Sequence, residues 1–339
     1  MATILKTKSL YFSDVNLISH GNGKVNSRTE VPKELNRVFV SPMSAIIGET
    51  FVKTAAPLGI RVCLQRFCEP QEQARLFNLF LDSGGNIVDV FVCIGINNGI
   101  NEIEQLIQKC KELPPNLLID CAFADIPKLK NYIDELNKKF TYKRLMIGNC
   151  HSAQGLQSLL HKIWRNRQTE YYIRINVGGG GPCSTSDFCG INRGQITELI
   201  ECSDFLEQQD INNVFLLSDG GCYKPANLVK AIGAGAFGSI LGSYFVKSNE
   251  AETHVIGDGT YWGGASGKQQ ILHTGKQYRH SEGKVVSITE TKPLKELVDD
   301  LWGGLSSAIS YLGYKTVTEF QGNGVFEIKA NSLPPKNRV

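Results

Sequence analysis

The segment Ile175-Asn176-Val177-Gly178-Gly179-Gly180-Gly181-Pro182-Cys183-Ser184-Thr185 places a cysteine behind four consecutive glycines, with two hydroxyl residues after it. Glycines without a Cβ let a backbone lie close against a ligand and expose its amides and carbonyls. A thiol carried on such a loop is placed for nucleophilic chemistry. Asp219-Gly220-Gly221 follows the apolar run Val214-Phe215-Leu216-Leu217, and Gly242-Ser243 follows Ser239-Ile240-Leu241. An aspartate at such a turn can hold paired ribose hydroxyls, and the glycines let a phosphate reach backbone amides. Glu282 lies in Tyr278-Arg279-His280-Ser281-Glu282-Gly283-Lys284 and could act as a general base. His151 could titrate near neutrality. Each has a plainer reading: one structural cysteine among ten, ordinary tight turns, a solvated glutamate and a loop histidine. For His151, and on composition alone for Glu282, the plainer reading is the favoured one.

These groups need elements to position them. Strand-like runs fall at 38–41, 62–66, 88–93, 117–122, 144–148, 172–177, 214–218 and 238–242. Helical patterns fall between and after them, at 49–58, 70–81, 103–113, 126–139, 154–165, 195–207, 225–232 and 294–312. Eight strand–helix alternations predict an α/β fold, a (β/α)8 TIM barrel, with a doubly wound sheet as the alternative. The barrel reading puts the site at the strand C-terminal ends, where 41–43, 120–122, 148–149, 178–185, 218–221 and 241–243 fall. Glycine turns after the seventh and eighth strands are a recurrent phosphate site in such barrels. The connection 255–292 is too long for a simple loop and is expected to be an active-site flap. The whole of 1–339 is expected to be one barrel domain with an N-terminal extension.

Composition bounds the rest. The 339 residues are 42% hydrophobic and 20% charged, with a net charge of +3, too small to argue for a nucleic-acid or membrane partner. No pair of the ten cysteines has CxxC spacing, so a zinc site of that kind is not expected. The Met1 segment has no long apolar stretch, so no signal peptide is expected; no run reaches about 20 apolar residues, and a reduced, cytoplasmic setting is expected.

Taken together, the motifs resemble the IMP dehydrogenase/GMP reductase family, and its GMP reductase branch most closely. The resemblance runs from Leu10-Tyr11-Phe12-Ser13-Asp14-Val15 and Asn26-Ser27-Arg28-Thr29-Glu30-Val31 through Met146-Ile147-Gly148-Asn149 and the cysteine loop. It continues in Ser218-Asp219-Gly220-Gly221-Cys222 and in Lys230-Ala231-Ile232-Gly233-Ala234-Gly235-Ala236, and ends in the 278–284 flap and Trp302-Gly303-Gly304-Leu305. The inserted CBS pair carried by most of the dehydrogenases is absent. The resemblance implies that Cys183 attacks C2 of the purine of GMP and ammonia leaves. Hydride from NADPH then converts the thioimidate to IMP. It implies that Thr185 and Glu282 handle the proton ammonia needs. It assigns the nucleotide to Asp219, Gly220, Gly221, Gly242, Ser243, Gly263, Gly264, Ala265, Arg279, Ser281 and Gly283. The dinucleotide falls to Ser27, Arg28, Asp120, Cys121, Ala122, Val177, Gly178, Tyr311 and Gly313. Carbonyls of Gly178, Gly180 and Cys183 are implied ligands of a monovalent cation, potassium in relatives. A homotetramer whose cofactor site borrows residues from a neighbour is also implied.

The chain departs from the family around the ligand. Pro182 stands next to the cysteine, and Ser186-Asp187 replace a usual basic residue. Gly263-Gly264-Ala265 replace a Gly-Met-Ser triplet, Ser44 an aspartate, Gln65 a lysine and Ser243 a glycine. The catalytic trio is kept while base contacts change. Alternatives are therefore the same chemistry on a modified purine or deazapurine nucleotide, IMP dehydrogenase, or a non-catalytic nucleotide-binding paralogue.

Overall fold

The computed structural model describes residues 8–19, 21, 23–97, 100–164 and 168–329. Eight parallel strands close into a barrel: β1 Val38–Val40, β2 Arg61–Cys63, β3 Val90–Ile94, β4 Asn116–Asp120, β5 Arg144–Cys150, β6 Glu170–Ile175, β7 Val214–Asp219 and β8 Gly238–Leu241. Closure comes from β1 pairing with β8, Val38 opposite Ser239 and Val40 opposite Leu241. Around it pack α1 Glu49–Ala55, α2 Pro70–Asp82, α3 Ile100–Ile107, α4 Pro127–Lys139, α5 Ala153–Ile163, α6 Gln195–Gln208, α7 Pro225–Gly233 and α8 Leu294–Leu312.

Alternation along the strands makes two cores. Outward residues such as Val62, Val92, Ile119, Ile147 and Ile173 pack under the helices. Inward residues Phe39, Cys63, Phe91, Cys93, Leu118, Met146, Tyr172, Leu217 and Ile240 fill the lumen. Tyr172 stacks on Phe215 at 5.1 Å and tilts against Phe39 at 5.8 Å. The Arg61 guanidinium lies 5.1 Å from the ring of Phe39 and donates to Tyr172 Oη at 3.0 Å. The lumen is thus a packed core and not a pore, and chemistry is left to the strand ends.

Local signals start and stop the helices. Pro70, Pro127 and Pro225 each occupy the first helical position, where a missing N–H costs nothing. Ser152 caps α5 by accepting from the N–H of Gly155 at 3.0 Å, and α8 ends at the left-handed Gly313 (φ 83°). The expected helix 103–113 stops at Ile107: the N–H groups of Lys109 and Cys110 bond three residues back, to Leu106 and Ile107, and Asn78 binds the backbone of Lys109 and Lys111. The expected strand 88–93 begins with a 3-10 turn, Ile87–Asp89. Of the expected helix 154–165, residue 165 lies outside the described residues. Periodicity did not show two antiparallel pairs: Val15–Leu17 with Phe326–Ile328, and Thr260–Trp262 with Val285–Ser287. The second pair lies within 255–292, which also carries a helix, Gly267–Thr274.

Candidate active site

The cysteine loop leaves β6 through Asn176, a non-glycine residue at φ 118°, and Gly178 at φ 84°. It then presses on the turn after β7. A Cβ on Gly220 (φ 83°) would stand 2.8 Å from the amide nitrogen of Gly180, so the turn after β7 has no room for a side chain there. The N–H of Cys183 closes the loop on the carbonyl of Gly180 at 3.0 Å.

The other face of the loop is clamped by residues far ahead in sequence. Ser184 N–H donates to the carbonyl of Glu282 at 3.2 Å, Lys284 N–H to that of Pro182 at 2.7 Å, and Glu282 N–H to that of Ala265 at 3.1 Å. This ladder brings three side chains into line. Cys183 Sγ donates to Thr185 Oγ1 at 3.2 Å, and Thr185 Oγ1 donates to Glu282 Oε2 at 3.2 Å. A thiol, a hydroxyl and a carboxylate in series form a path along which a proton can move between sulfur and carboxylate. The Lys284–Asp187 ion pair at 2.9 Å is largely exposed and adds little.

The remaining cysteines near the mouth are poor nucleophiles. Burial pushes the thiols of Cys63, Cys121 and Cys222 up to about 12, which leaves almost no thiolate at neutral pH. Cys183 is only part-buried and sits at the mouth.

A chain of alternating charges crosses the top of the lumen. Arg66 Nε donates to Asp120 Oδ2 at 3.0 Å, Arg174 Nη1 to Asp120 Oδ1 at 2.6 Å, and Arg174 Nε to Asp219 Oδ2 at 2.8 Å. Asn149 Nδ2 also donates to Asp219, at 2.8 Å. Burial alone would raise the Asp120 carboxyl, but Arg174 and Arg66 outweigh it and hold the group at about 2. Burial opposes the charge on Arg174, yet Asp219 and Asp120 push its pKa upward. Asn149 was among the expected strand-end positions 148–149, but Arg174 was not singled out in the sequence. The available signal was the inward-facing series Tyr172, Arg174, Asn176, which puts a charged residue at the open end of a barrel strand.

Several expected nucleotide residues are gathered here. Gly220 and Gly221 are successive left-handed residues (φ 83° and 71°), a concave backbone turn of the kind that holds phosphate. Gln195 and Asn227 bind their carbonyls. Ser243 Oγ lies 2.7 Å from where a Gly181 Cβ would be, and a Cβ on Gly242 would strike Tyr261 Oη. Gly263 sits against Pro182, 3.9 Å from its ring to a built Cβ. Gly283 bridges Cys183. The hydroxyl of Ser281 is engaged inside the flap, accepting from Gly267 N–H and donating to the Gly283 carbonyl. Arg279 is not gathered: it is exposed, with its guanidinium 5.8 Å from the ring of Tyr278. His151 is half-buried against Phe123, and burial and Arg193 lower its pKa.

The expected dinucleotide residues divide into two groups. Asp120, Cys121, Ala122, Val177 and Gly178 stand at the mouth, with the Cys121 thiol donating to the Gly148 carbonyl at 3.1 Å. Ser27, Arg28, Tyr311 and Gly313 cluster along the far half of α8, where Arg28 donates to Ser307 Oγ at 3.1 Å and Ser19 to the Tyr311 carbonyl at 2.6 Å. Leu297 is near the mouth, its carbonyl accepting from Tyr244 Oη. Ser307 is about 15 Å further along the helix axis. Beyond Gly313 the chain meets Arg37, just before β1, through Thr318 and Gln321. The second group therefore faces the opposite end of the barrel.

No described helix is long and apolar enough to cross a membrane, and the described residues contain no cluster of His, Cys, Asp and Glu able to hold a metal ion. The chain matches the IMP dehydrogenase / GMP reductase domain over residues 23–333. It is 25% identical to the GMP reductase of Onchocerca volvulus across 96% of this chain and 92% of that protein. It is 26% identical to the GMP reductase of Caenorhabditis elegans across 70% and 67%. It is also 26% identical to GMP reductase 1 of Mus musculus across 69% and 68%. With a family match spanning nearly the whole chain on a closed (β/α)8 barrel, this protein belongs to the IMP dehydrogenase/GMP reductase family of oxidoreductases.

Proposed function

We propose that this enzyme catalyses the reductive deamination of a purine nucleoside monophosphate, GMP to IMP and ammonia, with NADPH as reductant. The observation that carries the reading is the Cys183–Thr185–Glu282 series, with 3.2 Å at each step. The phosphate is held by the Gly220-Gly221 and Gly242-Ser243 turns. The Cys183 thiol gives up its proton through Thr185 to Glu282, and sulfur bonds to C2. The proton returns by the same path to the departing amine, which leaves as ammonia and makes a thioimidate. When bound, the nicotinamide supplies the hydride to C2, and the C–S bond breaks to restore the thiolate. Asp120, Cys121, Ala122, Val177 and Gly178 fit the nicotinamide half, because the small residues at this mouth leave backbone approachable. Ser27, Arg28, Tyr311 and Gly313, at the other end of the barrel, serve a neighbouring subunit's cofactor in a homotetramer. The carbonyls of Gly178, Gly180 and Cys183 bind potassium, and 255–292 closes over the substrate.

The test is a panel of GMP, IMP and modified or deazapurine monophosphates with both nicotinamides, run beside Cys183→Ala. GMP-dependent loss of NADPH absorbance with ammonia release is expected, and none in Cys183→Ala. Turnover of IMP with NAD⁺ instead would favour the dehydrogenase, and nucleotide binding without turnover a binding paralogue. Wild-type turnover by Cys183→Ala would refute the nucleophile.

A further inference from the structure

Resting on the purine-nucleotide reading of the site, we propose that Phe67, on the loop after β2, is the wall of the base pocket that position 264 does not supply, and that it sets the size of purine accepted. Position 264 lies between two supports of the chemistry. Its neighbour Gly263 packs on Pro182, beside the nucleophile, and its other neighbour Ala265 accepts the N–H of Glu282 at 3.1 Å. A bulky side chain at 264 would therefore border the reacting region, yet the residue is glycine. The room is not empty. A Cβ built on Gly264 would be 3.1 Å from both Cε2 and Cζ of Phe67, closer than ordinary van der Waals contact. The edge of an aromatic ring from the barrel occupies the volume that a flap side chain would otherwise fill.

Phe67 is held firmly enough to act as a wall. Its N–H donates to Oε1 of the buried Gln65 at 2.7 Å. The guanidinium of Arg66 lies 4.2 Å from the ring centroid and is itself tied to Asp120. On the flap side the ring meets His273 edge-on at 5.7 Å. One ring thus touches the barrel loop, the mouth charge network and the flap helix. A half-buried two-torsion aromatic with Arg66 over its face, His273 at its edge and Gly264 beside it has limited freedom to yield to an enlarged base. Phe67 and Gly264 form a complementary pair, large on the barrel and absent on the flap.

The pairing is tested by Phe67→Ala, Gly264→Met and the double variant. kcat/KM is measured with GMP and with 1-methyl-GMP and N2-methyl-GMP, both enlarged beside C2, and nucleotide affinity is measured for each change in a Cys183→Ala background. Gly264→Met alone should lose at least about tenfold in GMP affinity and kcat/KM, because its side chain meets the ring. Phe67→Ala should raise the ratio of at least one enlarged analogue to GMP by about tenfold or more, the range a hydrophobic wall controls. The double variant should return GMP affinity to within about threefold of wild type. A double variant no better than Gly264→Met, or an unchanged analogue ratio in Phe67→Ala, overturns the proposal while leaving the functional reading intact. Failure of the wild-type protein to bind any purine monophosphate overturns both.

Discussion

Glu198, on the buried face of α6, is fully inaccessible, and neither carboxyl oxygen has a hydrogen-bond partner among the described residues. Burial is the main cause of its raised pKa, about 9. The positive charge of Arg193 opposes that rise and Glu201 adds to it. The group is therefore protonated in the folded protein at neutral pH, whereas in the unfolded chain it titrates near its ordinary 4.5. Between those values the folded state binds a proton that the unfolded state has lost. Stability associated with this residue is fully present below about pH 4.5 and drains away, by about 1.4 kcal/mol per pH unit, up to about pH 9. At pH 7.5, three units above the unfolded value, the loss amounts to about 4 kcal/mol. Glu198→Gln keeps the shape and the neutral polar character but cannot ionise in either state. Urea unfolding followed by tryptophan fluorescence should show the variant close to wild type near pH 5. Its advantage should grow to about 4 kcal/mol by pH 7.5 with an unchanged denaturant slope. A variant advantage that does not change between pH 5 and 8, or one that falls, would refute the protonated-carboxyl argument.

Glu282→Gln keeps the backbone ladder to Ser184 and Ala265 but removes the charge that accepts the Thr185 proton. kcat should fall by about 10²–10⁴ with KM for GMP within a few-fold, and an unaffected kcat would exclude Glu282 from the relay. Arg174→Met strands Asp219 with Asn149 alone and leaves Asp120 only Arg66. Urea unfolding should show a loss of about 3–5 kcal/mol, with Arg174→Lys intermediate, and a loss under about 1 kcal/mol would show that the network is not held by this guanidinium.

The barrel was legible because its signals are local. Each strand is a short apolar run, each helix has its own periodicity, and Pro70, Pro127, Pro225 and Gly313 punctuate them. Helix α3 was misjudged because the pattern continues to Leu113, whereas Asn78, from the neighbouring helix α2, takes the backbone of Lys109 and Lys111. The connection 255–292 was visible as a long one, but its strand pair 260–262 with 285–287 depends on partners over twenty residues apart, which no window of sequence reports. Cys183, Thr185 and Glu282 were legible as residue types in family motifs. Gly264 was legible as the replacement of a methionine in a family triplet, but no stretch of sequence reports that the ring of Phe67, about two hundred positions earlier, packs against it.

The sequence by itself determined the fold class, the family and the identity of a cysteine, a hydroxyl and a carboxylate suited to one another. Those depend on residue order and local spacing, which a linear chain carries in full. Only the tertiary structure decided that the three stand in series at 3.2 Å, with the flap and the cysteine loop laddered together across a hundred residues. It alone showed Asp219 bound by a buried arginine, the expected cofactor residues divided between two ends of the barrel, and Phe67 packed against Gly264. Distances between distant segments are set by how the cores pack, and packing is a property of the closed barrel and not of any stretch of the chain.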